Sequence, residues 1–194
     1  MSAAGAVLRR GLKMSRRIHI TGASGAGTTT LGKHLASGLR CVHLDTDDFY
    51  WLPTDPPFQT KRDMPDRIRF LQDALSGHDD WILSGSLVGW GDPLIPLFTA
   101  VIFIETPTEI RLGRLREREA MRYGLQAIQP GGHLYNRHHE FLNWAAEYDD
   151  GNMTIRSRVL HTTWLAQLKC PVIAIQGDAP PDALAGDILA RIAD

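Results

Sequence analysis

The sequence predicts a three-layer α/β/α domain built on a five-stranded parallel sheet with a helical lid. Three observations carry that prediction. Short apolar runs alternate with stretches of helical periodicity along the chain. One run, AVIFI from Ala100 to Ile104, is apolar throughout, as a strand covered on both faces must be. A glycine-rich stretch, GASGAGTTT from Gly22 to Thr30, joins the first run directly to the first helical pattern. Strands alternating with helices imply parallel pairing and right-handed crossovers.

The elements follow in order. RIHIT, Arg17 to Thr21, reads as the first strand, and Leu31, Leu35, Ala36 and Leu39 then recur at helical spacing. CVHL, Cys41 to Leu44, is a short second strand ending at Asp45, and a Pro- and Asp-rich loop covers Pro53 to Asp63. Arg67 to Ser76 reads as a helix with Ile68, Leu71 and Leu75 on one side. Trp81 to Leu83 and Ala100 to Ile104 are the third and fourth strands, and Glu109 to Tyr123 is a charged helix. Pro130 to Tyr148 holds a glycine pair and then a helix, and Arg158 to Leu168 holds another. PVIAI, Pro171 to Ile175, is the fifth strand, and Ala183 to Ile192 the closing helix.

Composition bounds the function. The 194 residues are 43% hydrophobic and 22% charged, which places the chain among globular proteins of about one domain. A formal net charge of −1 gives no global attraction to nucleic acid or to an anionic membrane, and neither partner is expected. Cys41 and Cys170 have neither metal-site nor disulfide-framework spacing, which favours a reducing, cytoplasmic setting. No apolar run reaches the roughly 18 residues of a membrane span. Residues 1–15 are expected to be a disordered tail, with Met14 an alternative start, and residues 16–194 one domain.

Gly22–Thr29 has the spacing of a phosphate-binding loop, G-x-x-x-x-G-K-[ST], with one departure: Thr28 holds the lysine position. A strand precedes it and a helix follows, as that loop requires. Main-chain amides of Gly22, Ala23, Ser24, Gly25, Ala26, Gly27, Thr28 and Thr29 can then face a phosphate, aided by the positive end of the helix. The glycines permit the turn, and Thr29 stands at the metal-binding hydroxyl. Either other cations supply the lysine's charge or the catalytic rate suffers. Lys33 lies a helical turn beyond the loop and needs a bent approach. The charged helix offers Arg111, Arg114, Arg118 and Arg122, within one quadrant of a 3.6-residue repeat. Like charges so placed repel unless Glu117, Glu119 or an anion offsets them. Arg111, Arg114 and Arg118 are therefore candidate phosphate clamps, a role in which arginine is worth about 10³–10⁵ in rate.

HLDTDDFYW places Asp45, Asp47 and Asp48 at the carboxyl end of the second strand. Phosphoryl transfer needs Mg2+ beside the phosphates and a carboxylate to orient the nucleophile. Asp45 is assigned toward the metal, through water, and Asp47 as base or acceptor anchor; the two roles are interchangeable. Glu105 is a second metal-side candidate. Phe49, Tyr50, Trp51, Phe58 and Trp90 are candidates for an acceptor pocket bordered by SGSLVGWGD, Ser84 to Asp92. His133, His138 and His139 lack the partners of a metal site.

GASGAGTT, DTDDFYW, WILSGS and VIFIETPTEIRLGRLREREAMRYG together resemble P-loop kinases of the adenylate kinase and shikimate kinase type. The aspartate-aromatic segment is also similar to that of the small P-loop topology modulation proteins. The resemblance runs from about Arg16 to Asp194. It implies ATP and Mg2+ as cofactors, a small-molecule or nucleotide acceptor, a mobile lid over about residues 107–150, and an adenine cradle at QGDAPPD, Gln176 to Asp182. The segment from Gly131 to Gly151 does not match an adenylate kinase lid, so the acceptor does not carry over. The expected activity is transfer of the ATP γ-phosphate; the alternative is a nucleotide-binding sensor without transfer. The chain has no N-K-x-D segment, which weighs against guanine-specific switching.

Overall fold

The computed structural model describes residues 15–193; the expected tail at residues 1–15 lies outside them except for its last residue. Five strands, β1 (Arg17–Gly22), β2 (Val42–Asp45), β3 (Trp81–Ser84), β4 (Ala100–Glu105) and β5 (Val172–Gln176), form one parallel sheet in the order β2-β3-β1-β4-β5. The order reverses around β1. The chain leaves β1 toward the β2 edge and returns from β3 across to β4. Ligands of such sheets bind beyond the carboxyl ends of the strands, where the order reverses. Asp45 pairs in register with Ser84, Gly22 with Ile104 and Glu105 with Gln176, so these residues share that edge.

Alternation along the strands builds two cores. Ile18, Ile20, Ile82, Ile102 and Ile104 point to one face, covered by Leu31 and Leu35 of α1 (Thr28–Leu39) and Ile188 of α8 (Pro181–Ala193). Trp81, Leu83 and Val101 point to the other face. There they meet Leu71 and Leu75 of α3 (Met64–Ser76), Trp164 of α7 (Arg158–Leu165), and Leu94 of a 3₁₀ helix (Asp92–Leu97). Helices on both faces of an all-parallel sheet make the three-layer α/β/α architecture that the strand patterns predict.

The departures from the sequence reading are short elements and element ends. Asp45 caps an additional helix, α2 (Thr46–Tyr50), its side chain accepting from the Asp47 amide at 3.0 Å. The helix α3 starts at Met64 because Pro65 suits its first turn. The charged helix, α4 (Thr108–Tyr123), is followed by a single turn, α5 (Leu125–Ile128), and then by α6 (Tyr135–Ala146). Helix α7 ends at Leu165, before the expected Leu168.

Two histidines are sealed into the second core. His19 on β1 stacks on Phe98 at 5.1 Å, and burial pulls its pKa down to about 4. His161 on α7 contacts the Tyr148 hydroxyl through Nδ1 at 2.7 Å and Ser86 Oγ through Nε2 at 3.2 Å. Burial, helped by the charge of Arg156, pulls His161 down to about 3. Both are neutral in the native state, whereas the unfolded chain takes up protons near 6.5. Acid therefore favours unfolding. The urea midpoint should fall as pH drops from 6.5 toward 4, and His19→Gln should flatten part of that fall.

Candidate functional site

Strand β1 stops at Gly22, and the chain turns through Ala23–Gly27 into α1. The turn depends on glycine at two points. Gly25 has φ +81°, and a β-carbon there would lie 2.7 Å from the Arg111 carbonyl oxygen. Gly27, with φ +102°, caps α1 and provides no side-chain acceptor, and the first turn of α1 carries no acid. The opening amides of α1 thus lack both intrahelical and side-chain partners. That arrangement fits an anion at the helix start.

Thr29 and Asp45, both assigned to the metal side, are in contact. Thr29 Oγ1 donates to Asp45 Oδ2 at 2.6 Å, and Ser84 Oγ donates to the same oxygen at 3.0 Å. His43 Nε2 reaches Ser84 Oγ at 2.9 Å. Among the described residues no cluster of three or more His, Cys, Asp or Glu could by itself hold a metal. A magnesium ion would therefore rely on the Thr29 hydroxyl, Asp45, water and the phosphates. This hard, oxygen-only set suits Mg2+, which keeps several waters.

Two cavities flank the loop. The larger, about 670 Å³, is bordered by Ser24 of the loop, Asp47, the aromatic rings of Tyr50, Trp51, Phe58, Trp90, Phe141 and Trp144, and Arg118, Arg122 and Arg156. Trp51 packs edge-on against Tyr50 and Phe58, at 4.9 and 6.1 Å, and the Arg122 guanidinium lies 4.7 Å over the Phe58 ring. The Asp47 carboxyl keeps solvent contact inside this crevice yet is enclosed by protein. Desolvation raises its pKa, the charge of Asp45 adds to the rise, and Arg156 and Arg118 oppose it. Phe49, expected among the pocket rings, packs instead against the second core. The smaller cavity, about 230 Å³, lies on the other side of the loop. Ala26, Gly27, Arg114, Gly177, Ala179 and Pro181 line it, so the QGDAPPD segment does stand beside the loop.

The arginines of α4 separate into different surroundings. Arg111 corrects the expectation of a phosphate clamp. It is fully buried, and its guanidinium is consumed by the protein: Nε donates to the Thr106 carbonyl at 3.1 Å and Nη1 to that of Ala145 at 3.0 Å. Its Nη2 donates to Asp149 at 3.1 Å and to the Thr108 hydroxyl at 2.8 Å. Arg111 binds α4 to α6 and leaves no donor for a ligand. Arg114 donates to the Ala26 carbonyl at 3.3 Å and the Gly177 carbonyl at 3.0 Å, and so walls the smaller cavity. Arg118 and Arg122 reach the larger one, both held by the nearly buried Glu119 at 3.4 and 3.2 Å.

Two other candidates interact with neighbouring protein groups. Lys33 sits in the field of His43 and Asp48. Glu105 is ion-paired with Arg158. Sequence reading missed Arg156, which lines the larger cavity and donates to the Gly22 carbonyl at 2.7 Å. The available signal was TIRSR, two arginines flanking Ser157, the capping residue of α7.

Comparison with known proteins agrees with this layout. The AAA domain family matches residues 18–142, and the chain belongs to that family. The uncharacterized protein YqaC of Bacillus subtilis (strain 168) is 47% identical over 165 residues, covering 85% of this chain and 90% of that protein. Shikimate kinase from Acinetobacter baumannii, solved with shikimate, shares the fold at TM-score 0.54 and 19% identity, over 92% of this chain and 93% of that one. A gluconokinase from Sinorhizobium meliloti 1021 follows at TM-score 0.52 and 16% identity, over 93% and 94%. The fold is that of P-loop kinases, as the strand order and loop predict.

Removing Arg111 takes one of its two arginines from Asp149, which keeps Arg158, and leaves the carbonyls of Thr106 and Ala145 unmet. Arg111→Ala should cost about 2–5 kcal/mol of stability, the cost of buried acceptors left without donors, read from urea denaturation.

Proposed function

We propose that the chain is an ATP-dependent phosphotransferase that moves a γ-phosphate to a small metabolite or nucleotide. The observation that carries this reading is one arrangement at the sheet edge. Thr29 at the end of the loop is paired with Asp45, and Asp47 stands two residues further along the chain, lining a cavity large enough for an acceptor. Bound Mg·ATP supplies the phosphoryl group; the protein's residues position and discharge it. The loop amides and the start of α1 hold the phosphate tail. Thr29 and Asp45 hold the metal side. The smaller cavity, between Gly27 and Pro181, takes the base, with Arg114 against its wall.

Asp47 orients the acceptor hydroxyl and takes its proton. Its environment suits the task, because a raised pKa moves a carboxylate toward useful basicity at neutral pH. Arg118 lies close enough to weigh on Asp47's charge and borders the same cavity, where it balances charge on the transferring group. Residues 107–150, α4 to α6, act as the lid, with Arg111 as the buried pin that keeps its two long helices together. A nucleotide sensor is the second reading, and Thr28 in the lysine position is what favours it.

Mg·ATP should raise the melting temperature. Asp47→Asn should leave that shift in place while lowering acceptor-stimulated ADP release by about 10²–10⁴-fold, across a panel of hydroxylated metabolites and nucleotides. A protein that binds Mg·ATP but shows no acceptor-stimulated release with any member of the panel is a sensor. The same variant has a stability signature. A carboxyl whose native pKa is raised destabilises the fold once ionised and is neutral in effect once protonated in both states. Asp47→Asn should therefore be more stable than the wild type at neutral pH. The gap should close as pH falls through the usual carboxylate range, read from urea midpoints.

A further inference from the structure

A phosphate loop with threonine at the lysine position needs a cation from elsewhere, and the charge pairing around the site narrows the choice. Arg111 is tied to Asp149, Arg118 and Arg122 to Glu119, and Arg158 to both Glu105 and Asp149. Arg114 is spent on the carbonyls of Ala26 and Gly177 at the smaller cavity. Arg156 borders the larger cavity together with Ser24 of the loop, and no ion pair among the described residues engages it.

We infer that Arg156 takes the place of the missing lysine: its guanidinium enters the phosphate loop from the segment before α7 and grips the terminal phosphates of the bound nucleotide. This rests on the Mg·ATP reading of the loop. Three observations carry it. Arg156 Nη2 donates to the carbonyl of Gly22, the first residue of the loop, at 2.7 Å, which fixes the guanidinium at the loop's base. Its Nε is buried without a hydrogen-bond partner. A buried donor left unmet is costly and calls for an explanation, and an anion beside the loop supplies one. The neighbours on both sides lock the backbone that presents it. Ser157 caps α7, accepting from the Leu160 amide at 3.2 Å and donating to the Asn152 carbonyl at 2.6 Å. Arg158 Nη2 is anchored to Asp149 at 2.9 Å.

The electrostatic setting agrees. Burial weakens the hold of Arg156 on its proton, and the charge of Asp47 is the first influence opposing it. An anionic phosphate in the crevice adds to Asp47 and offsets the desolvation. The exchange of lysine for arginine is not neutral in geometry. A guanidinium offers a planar fork that can hold the loop carbonyl with one nitrogen and phosphate oxygens with others, whereas an ammonium is a point charge on a flexible stem.

Titration calorimetry of the full chain with Mg·ATP and with Mg·ADP tests this. Arg156→Ala should weaken Mg·ATP binding by about 10- to 100-fold, the worth of a charge-assisted contact, and weaken Mg·ADP less. Thr28→Lys, added to Arg156→Ala, should recover much of the lost affinity, because it returns a cation to the loop by the other route. Arg156→Gln, which retains donors without charge, should bind Mg·ATP as weakly as the alanine variant and covers the case in which that variant does not fold. Unchanged Mg·ATP affinity in Arg156→Gln overturns the inference and leaves the kinase reading intact. An equal loss for both nucleotides that Thr28→Lys does not recover also overturns it, since that pattern marks a residue which only holds Gly22 in place. No heat from Mg·ATP with the wild type overturns the kinase reading itself.

Discussion

The site is organised around the carboxylate of Asp45. One of its oxygens accepts from Thr29 and Ser84, and the other accepts from the Asp47 amide. Those contacts join the start of α1, the ends of β2 and β3, and the start of α2. Hydrogen bonds to an ionised acceptor are shorter and stronger than neutral ones, so the phosphate loop is held in fixed register with the sheet edge. The same charge governs its surroundings. It raises the pKa of Asp47 and of Asp48, in each case second to desolvation, and it holds back the fall that burial imposes on His43. One side chain thus fixes the position of the acidic cluster and adds to what burial does to its protonation.

The arginine stripe of α4 shows how a helical period can be right and its functional reading incomplete. Arg111, Arg114, Arg118 and Arg122 do lie along one side of a 16-residue helix. At 1.5 Å per residue, however, the first and last are about 16 Å apart along the axis. Over that distance the neighbours change completely. The first turn lies under α6 and Asp149, the second against the loop and Gly177, and the last two turns over the aromatic cavity. Periodicity reports the face of a residue. Depth is decided by what packs on that face, and here it converts one arginine into an internal fastener and the other three into cavity wall.

The same distinction explains what was legible in the sequence. Strands buried on both faces write their identity as unbroken apolar runs, so β4 and the sheet itself were readable, and the glycine spacing announced the loop. Thr29 and Asp45 were readable because a strand end and a helix start, each placed by local pattern, had to face one another. The helices α2 and α5 were not readable, since four or five residues carry too little periodicity to register. Arg111 was misjudged because its partners Ala145 and Asp149 lie more than thirty residues away, in a segment whose docking no local signal specifies. Arg156 was missed for the same reason: it meets Gly22 across 134 positions of chain.

The acidic and basic halves of the crevice are unbalanced in opposite senses, and under the proposed function this joins the loop, Asp45 and Arg156 into one device. Asp45 and Asp47 stand close enough to raise the proton affinity of Asp47, a repulsion that a cation between them would relieve. Arg156 is half-buried, and its Nε is enclosed with no partner, a cost that an anion would relieve. Asp47 and Arg156 interact without forming an ion pair, so neither cancels the other. A site meant only to be stable would bring them together or replace both with apolar side chains. Both border the larger cavity beside the loop, where they suit a ligand that carries both signs at once, and the magnesium–polyphosphate complex proposed above is such a ligand.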